Sequence, residues 1–375
     1  MIFYHNRTFI SDFIKERIVT FSTIVLFSFV LLFSFYSFVQ AQNVDQSLEA
    51  DDAKISRTQK YITISNVQPR PQALAGAFTA VVDGLSSVIY NPATLQLIDS
   101  NKKGGVSVFI NPVGIAAGIS NSGGFSDSTG TFNGLAATGL FIKSIALSYS
   151  AFEVALILTE QLPLTDNANK TAFFNSDGIL DAYSDVLATR IKLAEQISLG
   201  ASLSIHTINT MHQKKHYFGG SYGILIKPNP TFNIGLVYYD IPEFIASTKG
   251  KYERFIDETT NLGISWQPHH STLLSLDIRN VSEENRELSR EIHIGTELVP
   301  FKHIAIRGGY FKNKNDQKNV YSGGLGLLNS SILNRSQQAK YSKDWIVNYS
   351  YVYSNSDNLS EIRHYLSILI RLNIL

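Results

Sequence analysis

ISLGASLSIHTI, residues 197–208, decides the fold. Ile197, Leu199, Ala201, Leu203 and Ile205 share one face, and Ser198, Gly200, Ser202, Ser204 and His206 share the other. Successive side chains of a strand point to opposite sides of the sheet. A period of two therefore predicts a strand with one greasy face and one small, polar face. The pattern recurs down the chain. Residues 231–240 place Phe232, Ile234, Leu236 and Tyr238 together. Residues 273–280 set Leu274, Leu276 and Ile278 against Ser275, Asp277 and Arg279. Ile292, Ile294, Thr296 and Leu298 oppose Glu291, His293, Gly295 and Glu297. Ile304, Ile306, Gly308 and Tyr310 oppose His303, Ala305, Arg307 and Gly309. Trp345, Val347, Tyr349, Tyr351 and Tyr353 oppose Asp344, Ile346, Asn348 and Ser350.

Turn signals separate these segments at Lys227-Pro228-Asn229-Pro230, Gln267-Pro268-His269-His270 and Val299-Pro300-Phe301-Lys302. Each leaves only a few residues between strands, as hairpin turns do. The opposite connections, 240–258, 280–291 and 311–319, are longer and polar. Short turns at one end and long loops at the other are the asymmetry of an outer-membrane barrel, and the segments from Gly105 to Asn373 number roughly 14. Lipid offers no hydrogen bonds to an open sheet edge, so such a sheet closes on itself. A soluble periplasmic β-sandwich shares the alternation. Low charge and tyrosine-rich strands weigh against it. Residues 158–186 are too long for a hairpin turn and are expected to form an extracellular excursion with some helix. Residues 329–342 are expected to be a polar loop.

Composition agrees. Only 17% of residues are charged, Tyr and Phe number 18 and 23, and cysteine is absent. After residue 39 no stretch reaches the 18 apolar residues of a helical span. No basic tract points to nucleic acid. At the N-terminus, Arg7, Lys15 and Arg17 precede an uncharged stretch, residues 18–39, that ends Val39-Gln40-Ala41. That is a signal-peptide pattern with cleavage after Ala41, though 22 uncharged residues could also span a bilayer as an anchor. Removing 41 of 375 residues leaves 334, with 29 Lys/Arg (32 less 3) against 29 Asp/Glu (31 less 2). The organisation expected is a signal peptide at 1–41, a flexible periplasmic lead-in at 42–60, an N-terminal hatch at 61–103 and a transmembrane antiparallel β-barrel at 104–375.

PQALAGAFTAVVDGLSSVIYNPAT, residues 71–94, precedes the strands. Ala75, Gly76 and Ala77 let backbone approach backbone, Asp83-Gly84 suits a turn, and Pro92 restricts Asn91 to an extended conformation. The run resembles the N-terminal signature of the FadL-like outer-membrane barrels, most closely the PorV/PorQ and UPF0164 branch. The matching residues are Ala75, Gly76, Ala77, Phe78, Ala80, Asp83, Ser87, Tyr90, Asn91, Pro92 and Ala93. Thr94 stands where that signature has glycine. The resemblance implies an all-β, 14-stranded barrel with the N-terminal segment as a hatch in the lumen, in the outer membrane of a Gram-negative-type bacterium. It implies passage of hydrophobic compounds such as long-chain fatty acids through a lateral opening at a kinked strand. In the PorV branch it implies instead a type IX secretion or surface-attachment role with exported protein cargo. A structural barrel without transport is the third alternative. Partners expected are outer-membrane lipid, a hydrophobic ligand or secreted cargo, and the barrel assembly machinery.

The residues themselves leave two readings of Asn91 and Pro92, a buried turn or a transport-path lining. Asp277, Arg279, His293, Glu297, Arg307, Arg363 and Arg371 fall on the inferred inward face. They read as a salt-bridged interior or as a lining that anchors a carboxylate, with Arg307 the foremost candidate. His206, His212 and His216 lie in a polar stretch that reads as loop, and His269-His270 lie in a turn. No catalytic constellation, cofactor motif or metal motif emerges, so the chain does not read as an enzyme. The last strand alternates Leu366, Ile368, Ile370, Leu372 and Ile374, without a terminal aromatic residue.

Overall fold

The computed structural model describes residues 55–64, 68–97, 104–114, 116, 134–161, 180, 182–209, 214–240, 259–269, 271–282, 290–301, 304–313, 318–327, 345–355 and 359–373. All belong to the unit Lys54–Leu375; the leader and the cleavage site lie outside the described residues. The described elements are β1 (Ile55–Ile64), a short helix α1 (Pro69–Ala73), β2 (Gly104–Ile110), a second helix α2 (Gly134–Phe141), β3 (Ile142–Tyr149), β4 (Phe152–Gln161), β5 (Ala182–Lys192), β6 (Ile197–Asn209), β7 (Lys214–Asn229), β8 (Phe232–Asp240), β9 (Thr259–His269), β10 (Thr272–Arg279), β11 (Glu291–Phe301), β12 (Ile304–Asn313), β13 (Lys318–Leu327), β14 (Trp345–Asn355) and β15 (Leu359–Asn373).

From β2 to β15 each strand pairs antiparallel with the next, and β15 returns to pair with β2, closing a barrel of fourteen strands. The expected face assignment holds on this wall. Ile197, Leu199, Leu203 and Ile205 are exposed on one side, while Ser198 and His206 are buried on the other. Ile145, Leu187, Ile224, Ile294, Leu298 and Ile306 continue the aliphatic outer face. Tyr149, Phe152 and Phe301 rim it where the short turns lie, as in a membrane barrel with an aromatic girdle.

The proline turns are linked sideways. Lys227 N donates to Gln196 O at 2.7 Å, Gln267 N to Thr231 O at 2.7 Å and Val299 N to Ser271 O at 2.8 Å. Each donor directly precedes a proline, whose nitrogen carries no hydrogen, and each hairpin carries a register shift beside it. The chain thus binds each turn to its neighbour where the ladder loses a donor.

Four expectations shift. β1 spans the expected lead-in boundary at 60/61 and pairs parallel with β15, the one parallel pairing among the described strands. The excursion expected at 158–186 is narrower, because β4 runs to Gln161 and β5 begins at Ala182; of its apolar members Leu180 is buried, and Leu162, Leu164, Phe173, Phe174 and Ile179 lie outside the described residues. His206 and His216 are not in a loop but on paired strands β6 and β7, with Thr207 Oγ1 3.1 Å from His216 Nδ1; His212 lies outside the described residues. The asymmetry of loops is broken once, because the β13–β14 connection, 328–344, falls at the end that otherwise carries short turns.

Candidate functional site

Residues 68–97 follow β1 and contain almost no regular structure beyond α1 and the single turns Leu85–Ser87 and Pro92–Thr94. They pack against the buried face of the strands around most of the barrel. Asn91 shows why the local sequence folds so. Its backbone is extended (φ −161°, ψ 107°), as a residue before proline should be, and its side chain caps the turn that follows by accepting from Ala93 N at 3.0 Å. The same amide donates to Thr79 O at 2.8 Å and reaches Ile224 O on β7 at 3.3 Å. Gly200 and Gly223 make this approach feasible, since a Cβ at either would overlap Pro92, Ala93 or Asn91. Thr94 carries a helical turn and donates its hydroxyl to Asn91 O at 2.7 Å, so a glycine is not needed there. Gly76 takes a positive φ of 75°, and Ala75 beside it 53°. This tight turn aims the Gly76 and Ala75 carbonyls at Arg279 and at His293 Nδ1, the latter 2.6 Å away.

One side of the interior is polar. The Arg70 guanidinium, between two prolines of α1, contacts Asp83 at 2.9 Å and Glu297 of β11 at 2.8 Å. Glu297 also accepts from Arg307 of β12 at 2.5 Å, and Arg307 donates to Asn348 of β14 at 2.8 Å. Burial alone would lower the Arg70 pKa, but the Asp83 and Glu297 carboxylates raise it well above the usual arginine range. Asp277 Oδ2 on β10 accepts from Phe78 N at 2.8 Å, Thr79 N at 2.9 Å and Thr79 Oγ1 at 2.7 Å. Phe78 meets Tyr90 edge-on at 5.6 Å between ring centroids. Burial raises the Tyr90 phenol to about 12, against the pull of Arg279. Tyr239 of β8 donates to Tyr90 O at 2.8 Å, and Ser265 of β9 to Ala80 O at 2.9 Å.

The other side holds an apolar cluster flanked by charged residues. Leu85, Val88, Leu95 and Leu97 form one buried cluster with Phe109 of β2, Ala146 of β3, Ala155 and Ile157 of β4, Val186 and Ala188 of β5, and Leu369 of β15. Its lower rim is pinned at Leu97, whose N–H donates to Glu153 at 3.1 Å and whose carbonyl accepts from Arg371 at 2.6 Å. Glu153 pairs with Arg190 at 2.7 Å. Beside this cluster the ladder of described strands is interrupted. β2 meets β15 only over Ile370–Asn373, and β3 meets β4 only from Ser144 and Ile157 downward. β4 then bulges between Ile157 and Glu160, with Thr159 at φ 49°. α2 packs there through Gly139 against Leu158 and Thr159. Thr159 N donates to Asp185 at 2.8 Å, and the buried Lys143 ammonium donates to its carbonyl.

The structure therefore places Asp277, Arg279, His293, Glu297, Arg307 and Arg371 on the buried face in contact with residues 68–97 or with their ion pairs. Arg363 lies on the same face of β15, half-buried. Ala75, Gly76, Ala77, Phe78, Asp83, Tyr90, Asn91, Pro92 and Ala93 are buried or half-buried. Sequence reading missed Arg70, Thr79, Glu153, Arg190 and Lys143. A lone arginine in a small-residue run was the available signal for Arg70; nothing local flags Lys143. Among the described residues no group of three or more His, Cys, Asp or Glu could hold a metal.

No family model matches the chain. No curated protein matches it either. Solved barrels are similar in outline. The CymD monoaromatic hydrocarbon channel is 12% identical, with 82% of this chain and 96% of that chain covered at a TM-score of 0.46. The Ralstonia pickettii toluene transporter TbuX is 14% identical, with 83% and 98% covered at 0.45. The Pseudomonas putida toluene transporter TodX is 12% identical, with 84% and 98% covered at 0.41. At these values the likeness assigns neither substrate nor branch.

Proposed function

We propose that the chain is a channel for hydrophobic small molecules in the outer membrane of a Gram-negative-type bacterium, with residues 69–97 as a hatch in its lumen. The observation that carries this reading is the coincidence of two features. The apolar side of the interior lies against the stretch of wall where β2 and β3 stop short and β4 bulges. A molecule without charge could leave the apolar cluster sideways into lipid there, and it would not have to cross the ion pairs around Arg70. Those pairs, with Asp277, Arg279 and His293, hold the hatch; in this reading they do not bind the passenger. Monoaromatic hydrocarbons belong to the class directly, and a long-chain fatty acid belongs to it in its protonated, uncharged form. The exterior supports the location, since a closed wall with an aliphatic outer face and aromatic rim suits a bilayer.

The test is uptake of labelled toluene and of a labelled long-chain fatty acid by cells that carry or lack the chain, with membranes fractionated in parallel. Faster uptake of either, with the chain in the outer-membrane fraction, supports the reading. A second reading draws on the same hatch, because an interior tied down on nearly every strand also suits a barrel that binds exported protein at its surface. Unchanged uptake together with lost surface proteins in a deletion strain would favour it.

A further inference from the structure

β15 has two neighbours along one edge. Its last residues, Ile370–Asn373, pair antiparallel with β2. Above them, Leu359–Leu366 pair with β1 in parallel, from Ile55 opposite Leu359 to Ile64 opposite Leu366. The pairing is weak by construction. Parallel ladders are slightly less stable per residue than antiparallel ones, and this one breaks register between Thr58 and Ile62. β1 has no second sheet partner among the described strands; it approaches β4 without pairing to it. By contrast, β14 and β15 pair without a break from Trp345–Ile370 to Asn355–Ser360.

We propose that β1 is a displaceable strand that closes the interrupted wall in cis, and that its release from Leu359–Leu366 opens a lateral port onto the apolar side of the interior. This rests on the channel reading above and names the moving part of it. The hatch cannot serve as that part, because its ties reach β4, β7, β8, β9, β10, β11 and β15 and would have to break together. Among the described strands β1 is held along a single edge, so its release costs no strand pairing except its own with β15. Release exposes backbone groups of β15 that lipid cannot satisfy, which keeps the open state brief and favours reclosure.

The chain has no cysteine, so a lock can be introduced cleanly. Ile64→Cys with Leu366→Cys joins β1 to β15, and Val347→Cys with Ile368→Cys joins β14 to β15 as a control. In lipid nanodiscs, wild-type amides of residues 55–64 should exchange hydrogen at least tenfold faster than those of residues 345–355. In intact cells that carry the chain, the oxidised β1 lock should cut uptake of labelled toluene at least tenfold, reversibly on reduction, while the control lock leaves it unchanged. Exchange in β1 as slow as in β14 overturns the inference whatever the barrel transports. So does full entry through the oxidised β1 lock. If the wild type admits no toluene, the channel reading falls for that substrate and the exchange measurement alone decides whether β1 is displaceable.

Discussion

Arg70 and Glu297 meet at 2.8 Å, and they join the segment before the barrel to a strand 227 positions later in the chain. Both side chains are buried, and Glu297 is shared with Arg307. The carboxylate is the hub of the polar side, since two guanidinium groups rely on it and only Arg70 has a second carboxylate in Asp83. Removing one member of a buried ionic set costs more than the set contributes, because the partners remain charged and out of water. Glu297→Ala is therefore expected to destabilise the barrel by roughly 3–5 kcal/mol. Urea unfolding in detergent micelles, followed by tryptophan fluorescence, reads this directly. A joint change of Arg70, Glu297 and Arg307 to apolar residues of similar volume should recover most of the loss. A Glu297→Ala protein as stable as wild type would show that the network is ornamental.

Asn91 holds three segments through one amide. Asn91→Ala should cost about 1–3 kcal/mol, from the lost cap and the stranded Thr79 carbonyl. Asn91→Asp keeps the cap but sets a carboxylate oxygen against Thr79 O, so it should cost more than alanine. Comparison of the two variants by the same unfolding assay checks the order. Alanine worse than aspartate would contradict the donor role assigned to the side-chain nitrogen.

Glycines on the two faces of the wall should behave oppositely. A Cβ at Gly200 overlaps backbone of Pro92 and Ala93, whereas one at Gly308 meets nothing nearer than Ser322 O at 3.9 Å. Gly200→Ala is expected to lose about 1–3 kcal/mol, the scale of overpacking, and Gly308→Ala under about 0.5. Equal effects would mean that residues 92–93 do not sit against β6.

Tyr90 gives a pH signature. Its phenol is pushed from 10.0 to about 12 by burial, so the folded state holds the proton more tightly than the unfolded chain. The resulting stability is complete below pH 10 and is lost as the pH rises from about 10 towards 12. Tyr90→Phe cannot lose it. The stability difference between wild type and Tyr90→Phe should shift in favour of the variant by roughly 2–3 kcal/mol across that window. A pH-independent difference would place Tyr90 in contact with water.

Much of the wall was legible because alternation is a backbone rule. Leu199 faces out and Ser198 faces in whatever lies beyond them, and the proline turns mark hairpin ends. The inward charges on β10–β12 were legible for the same reason. Their partners were not, since Glu297 meets Arg70 only after the chain has closed a loop of more than two hundred residues, and no local spacing records that. β1 was missed because a parallel strand pairs by topology, with no turn to announce it. The bulge at Thr159 was missed because a β-branched residue gives no sign of a positive φ; the Lys143, Asp185 and Gly139 contacts that accompany it come from three other elements. Thr94 looked like a departure and proved to fit, because the turn it occupies has ordinary helical geometry.

The most direct measurement of the central claim is the initial rate of labelled toluene uptake by intact cells that carry the chain, compared with cells that carry the Ile64→Cys/Leu366→Cys protein before and after reduction. Channel function with a lateral port predicts uptake well above that of cells lacking the chain, its suppression in the oxidised variant and its return on reduction. Uptake no faster than in cells lacking the chain, for toluene and for a long-chain fatty acid alike, would contradict the claim that this barrel passes hydrophobic molecules.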